Sequence, residues 1–239
     1  MNWKKWIGPA VLLAALVIGE RTYLYRPDHK YRLNVDVETP DGVRSASGVF
    51  SVHPNRAYGG SGSGPAGPRI KGDAVFVDLG NGRNLTALLL HGTNPAETDG
   101  MNYLPLRVFA AAGRRIDFRD VKRQTETVSV TGELIPTLVT FADVANPTSA
   151  RVVDPANLPA AGLGQGFRLR GVSLQIVPSG LWPLDFGGAL GEPVTRDIQS
   201  RLPWSNDPAK AAAALSAAGI VAVPPADAGF TPMQAFRRE

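Results

Sequence analysis

The sequence predicts an α+β fold, a mainly antiparallel sheet of five or six strands with one longer helix and short helices on one face, preceded by an N-terminal membrane helix. A β-sandwich with few helices is the alternative. Three observations carry this reading. Residues Trp6 to Gly19 form an uncharged apolar run of fourteen residues between Lys4-Lys5 and Glu20-Arg21. From Tyr31 the pattern changes to period two, the signature of half-buried strands. Asn81-Gly82 joins two apolar runs, the strongest short hairpin signal, because both residues tolerate positive φ. Three regions follow: a membrane anchor or signal segment at 1–25, a single domain at 26–204, and an Ala-rich helix with a disordered tail at 205–239.

The opening run has a basic start and the length of a signal-peptide core, but its Val17-Ile18-Gly19 end lacks the usual Ala-x-Ala cleavage site. A spanning helix needs about 20 apolar residues. Flanking Trp3, Trp6, Tyr23 and Tyr25 would place aromatics at both interfaces. An uncleaved anchor through residues 6–19 is therefore the expected state, with a cleaved signal or a core helix as alternatives. The Lys/Arg distribution does not fix orientation. The two-lysine start favours the N-terminus inside and the domain on the outer, periplasmic side of an inner membrane.

Tyr31, Leu33, Val35 and Val37 alternate with Arg32, Asn34, Asp36 and Glu38, which predicts a strand with one apolar face. Thr39-Pro40-Asp41-Gly42 supplies a turn, and Val43–Val52 returns as its partner. Tyr58–Pro68 is rich in Gly and Ser and predicts a flexible loop. Ala74–Leu79 and Asn84–Leu90 form the second hairpin across Gly80-Asn81-Gly82-Arg83. The same glycines do not make a phosphate-binding loop, because position 85 is Leu and a strand follows instead of a helix.

Asp99–Arg123 predicts the longer helix, with Met101, Leu104, Val108, Phe109 and Ala112 near one stripe, Pro105 in its first turn and Gly113 as a candidate terminator. Gly132–Ala142 reads as a strand interrupted by Pro136, Asp154–Leu158 as a short helix, Phe167–Val177 as the last good strand and Glu192–Leu202 as another short helix. Asn206-Asp207-Pro208 caps an Ala-rich helix, Ala209–Ala218, ended by Gly219, and the residues after Pro224 predict disorder.

Composition removes several classes of function. The chain has 239 residues and no cysteine, so disulfides, thiolate zinc sites and cysteine nucleophiles are excluded. Its net charge is +4 with the basic residues scattered, which argues against nucleic acid as a partner. The domain is large enough to bury roughly 70% of its unfolded surface without staples.

Four segments together, YRLNVDVETPDGVRSASGVFSV, AVFVDLGNGRNLTALLL, LIPTLVTFADVANPTSARVVDP and VTRDIQSRLPW, resemble an uncharacterised family of proteobacterial proteins with an N-terminal membrane segment. The resemblance spans Tyr31 to Trp204 in order. It implies a bacterial envelope setting and a single domain, and it implies no activity, substrate or catalytic residue.

No catalytic, cofactor-binding or metal-ligating residue is assigned from the sequence. His29, His53 and His91 have no second ligand at metal spacing; His53 and His91 each end a strand, which could place them at one rim of a sheet. Asp117 and Asp120 lie among Arg114, Arg115, Arg119 and Lys122, the pattern of a solvated mixed-charge surface. Ser129, Ser173 and Ser200 lack nucleophile-elbow glycines. Arg196, Arg201 and Trp204 form a candidate interaction edge, with Trp204 folding back over the sheet as the alternative. The expected function is a membrane-tethered envelope protein with a non-catalytic protein-interaction domain. The alternative is a small-molecule-binding protein or enzyme whose site is assembled from residues distant in sequence, with the rim of His53 and His91 as its place.

Overall fold

The computed structural model describes residues 4–25, 27–54, 67–180, 191–224 and 229–239, with side chains in the first segment described from 6 to 19. Among these residues the fold is mixed α and β, with mostly antiparallel sheets and few helices. Strand β1 (His29–Thr39) buries Tyr31, Leu33, Val35 and Val37 on one face, as the alternation predicts. It turns through Pro40-Asp41 into β2 (Gly42–His53), pairing Thr39 with Gly42, and the Thr39 hydroxyl donates to the Gly42 carbonyl at 2.8 Å. Beyond β2 the chain forms β3 (Arg69–Asp73), β4 (Val75–Gly80) and β5 (Arg83–Ala87). At the β4–β5 turn Asn81 has φ 53° and Gly82 φ 76°, the conformation that the Asn-Gly pair predicts. The Gly/Ser-rich Tyr58–Pro68 stretch lies outside the described residues except for Gly67 and Pro68.

The strands form two sheets where the sequence predicts one. β3 and β4 are separated only by Ala74, and there the chain changes sheets. The larger sheet has the order β12-β3-β2-β1-β10-β7, all antiparallel, and includes β7 (Thr127–Val130), β10 (Arg168–Val177) and β12 (Arg237–Arg238). The smaller, also antiparallel, has the order β4-β5-β8-β9, with β8 (Leu138–Phe141) and β9 (Ala150–Val153). Apolar side chains from both enter one core, including Leu33 and Phe50 from the first and Val77, Leu85 and Val139 from the second. A short parallel pair joins β6 (Ala96–Glu97) to β11 (Ala222–Val223). The sheet change brings β3 against Phe50: a methyl group on Gly72 would stand 2.4 Å from the Phe50 ring, and φ there is +152°. Only glycine fits both demands.

The expected long helix over Asp99–Arg123 is corrected to three pieces. A 3-10 turn at Gly100–Asn102 leads into α2 (Leu104–Ala111), and a second 3-10 turn covers Phe118–Arg123. Pro105 confines the helix start, Gly113 ends it at φ +81°, and the intervening residues are extended before the later turn. Met101, Leu104, Val108 and Phe109 are buried, whereas Ala112 is exposed. The Gly132–Ala142 strand is likewise shortened to β8, because Gly132–Leu134 forms a 3-10 turn and Pro136 has no amide hydrogen for a ladder. Asp154 does not cap a helix at 155–158: its carboxylate accepts from the Ala156 amide in a tight turn, and the 3-10 turn falls at Leu158–Ala161. Of Glu192–Leu202, only α3 (Ile198–Arg201) is helical.

The C-terminal helix is α4 (Pro208–Ala217), with the Asp207 carboxylate accepting from the Ala209 and Lys210 amides and Ala211, Ala214 and Leu215 buried. The expected disorder after Pro224 is corrected for residues 229–239. Thr231 and Gln234 form a reciprocal capping box around a 3-10 turn, Phe236 is buried, and β12 pairs Arg237 with Asp73 and Arg238 with Gly72. The tail is part of the core.

Helix α1 (Lys4–Tyr25) contributes nothing to that core. Its apolar side chains from Trp6 to Ile18 are exposed, Trp6 by 72% and Leu13 by 65%, so the core-helix alternative is excluded. A membrane-spanning assignment has no support from its dimensions: fourteen apolar residues reach about 21 Å against a hydrocarbon thickness of about 30 Å, and among the described residues no helix is long and apolar enough to cross a membrane.

Candidate functional site

The three residues of the candidate interaction edge are divided between the core and the surface. Trp204 is buried between Phe141 and Phe236, edge-on to both at 5.4 and 5.2 Å, and its indole nitrogen donates to the Val144 carbonyl at 2.8 Å. This corrects the exposed-edge reading for Trp204. Arg196 reaches Asp73 at 3.4 Å and donates to the Arg238 carbonyl at 2.7 Å. Arg196 nevertheless remains exposed, as does Arg201, whose guanidinium lies 6.0 Å from the Phe76 ring centre.

Asp73 is the junction beneath these contacts. Fully buried, it accepts from the Ile198 amide at 3.2 Å and lies 3.7 Å from Arg237. Burial raises its carboxyl above the ordinary value, against the opposing pull of the Ile198 amide and the two arginines. Beside it, Arg238 donates to the carbonyls of Leu89, Thr98 and Gln234. Desolvation pulls its guanidinium down to about 10, partly countered by Tyr31 and Asp99. These buried charges fix the C-terminal strand to β3; their partners are internal.

The histidines fall in three places. His29 is buried, its Nδ1 3.0 Å from Asp28 and its ring edge-on to Phe118. His53 ends β2 opposite Arg69, 2.9 Å from the Ser51 hydroxyl, in the six-stranded sheet. His91 follows β5 and forms a bridge with Glu97, so the common rim of His53 and His91 is not formed. The physical reason is the sheet change at Ala74, which sends the two strand ends into different sheets. Asp120 pairs with Arg123 at 2.8 Å on the exposed surface, as the mixed-charge pattern predicts. Among the described residues no group of three His, Asp or Glu could hold a metal ion.

His91 lines a cleft of about 440 Å³ between the β6 region and the ends of β8 and β9. The arrangement starts from backbone: the His91 and Glu97 amides and carbonyls pair reciprocally at 3.0 and 2.7 Å, and β6 is held in turn by β11. The imidazole is 4% exposed, and its Nε2 lies 3.0 Å from the Leu134 carbonyl. A carbonyl only accepts, so Nε2 carries the proton and Nδ1 presents a lone pair. Nδ1 is buried without a hydrogen-bond partner among the described residues. Desolvation depresses the His91 pKa to about 4, so the ring is neutral at pH 7.

Gly100 packs against Nδ1. A methyl group there would stand 2.6 Å from Nδ1, 3.0 Å from Arg107 Nη1 and 3.1 Å from Glu97 Oε2, so the three polar atoms pack closely around Gly100, where a Cβ does not fit. Arg107 Nη1 donates to both Glu97 oxygens, at 3.1 and 2.9 Å. The remaining charged residues of the cleft are Glu133 and Asp154, both exposed and neither paired with Lys or Arg among the described residues. Chemically the cleft offers a neutral acceptor of fixed tautomer, a neutralised ion pair and two exposed carboxylates, one oxygen of Asp154 already accepting from the Ala156 amide. His91 was visible in the sequence as a histidine ending a strand. Glu97, Gly100 and Arg107 carried no motif, because a β6–β11 pairing across more than a hundred residues and the close packing around Gly100 bring them together.

Comparison with known proteins returns no matching family model, no similar curated protein and no similar solved structure.

Proposed function

We propose that this chain is an envelope protein which holds a non-catalytic, protein-binding domain at a membrane, with residues 6–19 as the membrane contact. The observation that carries the proposal is the exposure of eight large apolar side chains on α1, namely Trp6, Ile7, Val11, Leu12, Leu13, Leu16, Val17 and Ile18, beside a domain whose core is complete without them. Each such side chain gains about 1.5–3 kcal/mol on leaving water. Because the helix is apolar on every side, it has no polar face with which to lie along a headgroup layer, which favours axial insertion. Insertion of so short an apolar run draws on local bilayer thinning and on flanking residues that snorkel outwards.

The placement of the domain on the periplasmic side of a bacterial inner membrane rests on the Lys4-Lys5 start and on the resemblance of residues 31–204. The binding role is supported by β7, which ends the six-stranded sheet and exposes Thr127 and Ser129; among the described residues no further strand pairs with its outer edge, the kind of edge that adds a partner strand. Membrane fractionation tests the tether. The full chain should sediment with membranes and resist alkaline extraction, whereas a chain lacking residues 1–25 should be soluble with an unchanged unfolding midpoint. A full chain found in the soluble fraction refutes the tether, and a mature mass lacking everything before Glu20 replaces it with export after signal cleavage. Crosslinking from membranes with a probe in β7 should recover a reproducible partner; repeated recovery of none refutes the binding role.

A further inference from the structure

We infer that the cleft beside His91 is a binding site for a small organic cation, an ammonium or amidinium group carried on an apolar body. At about 440 Å³ the cleft has the size of a small-molecule site, and Pro95, Ile135, Pro136, Leu138, Val152 and Pro155 give it an apolar lining. Its charge selects the ligand. Among the described residues the one guanidinium lining the cleft, that of Arg107, is held by both oxygens of Glu97 and contributes no net charge with it. His91 is neutral, so Glu133 and Asp154 leave the cleft net negative. Anions are disfavoured and cations attracted.

The buried imidazole supplies the second, independent feature. Its Nδ1 is an acceptor with no donor, and an unsatisfied buried polar atom of this kind is a standing cost that a ligand N–H removes. The nitrogen packs against Gly100 beside the Arg107–Glu97 pair, and His91, Arg107 and Glu97 all line the cleft. The pair is the movable wall, because its side chains are 36% and 47% exposed and both ends can exchange their contact for water. A ligand N–H entering past it donates to Nδ1 while the cationic charge sits by Glu133 and Asp154 and the apolar body covers the proline-rich lining. Leu134 fixes the proton on the opposite ring nitrogen, so the acceptor is ready without a change of tautomer.

The test titrates the full chain in detergent with benzamidinium, and separately with benzoate and benzyl alcohol as anionic and neutral probes of the same shape. Histidine nitrogen NMR follows Nδ1 of His91 directly, and the assignment is made with His91→Gln. Saturable benzamidinium binding that moves the Nδ1 resonance in the direction of an acquired hydrogen bond, with benzoate at least tenfold weaker, is the expected result. Glu133→Gln combined with Asp154→Asn should weaken benzamidinium by about tenfold, since two partly screened charge contacts are lost, while the unfolding midpoint holds. Benzoate or benzyl alcohol binding as tightly as benzamidinium overturns the proposal. So does the absence of any benzamidinium binding, or binding that leaves the Nδ1 resonance in place or is unchanged in the double variant.

Discussion

Replacing Phe236 with alanine should cost the domain a large part of its stability although the residue lies three positions from the end of the sequence. The ring is 1% exposed and stands edge-on to Trp204 at 5.2 Å, inside the core shared by both sheets. Truncating a buried phenylalanine costs about 3–5 kcal/mol, from lost burial and the cavity left behind. Native domains have about 5–15 kcal/mol in total, so one tail residue holds a substantial fraction. For a domain of this size the change corresponds to a drop of roughly 10 °C in unfolding midpoint. Urea and thermal unfolding followed by tryptophan fluorescence measure it, and Trp204 is the local reporter. Deleting residues 236–239 should go further. It also removes the Phe236 carbonyl that accepts from Ala74, the Arg238 guanidinium that serves Leu89 and Thr98, and the Arg237 charge beside Asp73. Asp73 then keeps only Arg196 and the Ile198 amide, and with the Phe236 ring also lost the truncated chain should fail to unfold cooperatively. A Phe236→Ala midpoint within 2 °C of the parent (~0.5 kcal/mol) would refute the placement of the tail in the core.

Acid should weaken the domain through His91. Its folded-state pKa is about 4 against 6.5 for the free side chain, so its contribution is fully present above pH 6.5 and is lost as pH falls towards 4. The loss amounts to about 3 kcal/mol, and His91→Gln should flatten that part of the stability–pH profile; an unchanged profile counts against the buried neutral ring. Gly72→Ala should destabilise by about 2 kcal/mol or more, because the new methyl meets the Phe50 ring and the residue sits at positive φ, and equilibrium urea unfolding would detect it. Asp207→Ala should cost about 1 kcal/mol by stripping the α4 cap from the Ala209 and Lys210 amides, measured by the same unfolding curves.

What the sequence made legible was local, and the reason is physical. The β1 alternation, the Asn81-Gly82 turn and the Asp207 cap each arise from residues within a few positions of one another, where backbone φ, period and side-chain reach act directly. The long helix failed where local rules compete: the stripe from Met101 to Phe109 is real, but Pro105 and Gly113 limit the continuous helix to eight residues. The tail failed for the opposite cause. Thr231 and Gln234 carry a local capping-box signal, but the rest of the order of residues 229–239 comes from a buried carboxylate on β3, the Leu89 and Thr98 carbonyls and an aromatic cluster, all distant in sequence. The same dependence decides the site. Arg196 and Trp204 look like surface hot-spot residues in one dimension, yet the tail supplies the ring and the carbonyl that occupy them. Where the tail closes over the domain it takes Trp204 out of the candidate edge, and where β11 pairs with β6 it positions Glu97 at the mouth of the His91 cleft. The C-terminal segment therefore determines which polar groups remain available to a ligand, and its order and the cation preference of the cleft are linked: loosening β11 should weaken benzamidinium binding before it unfolds the sheets.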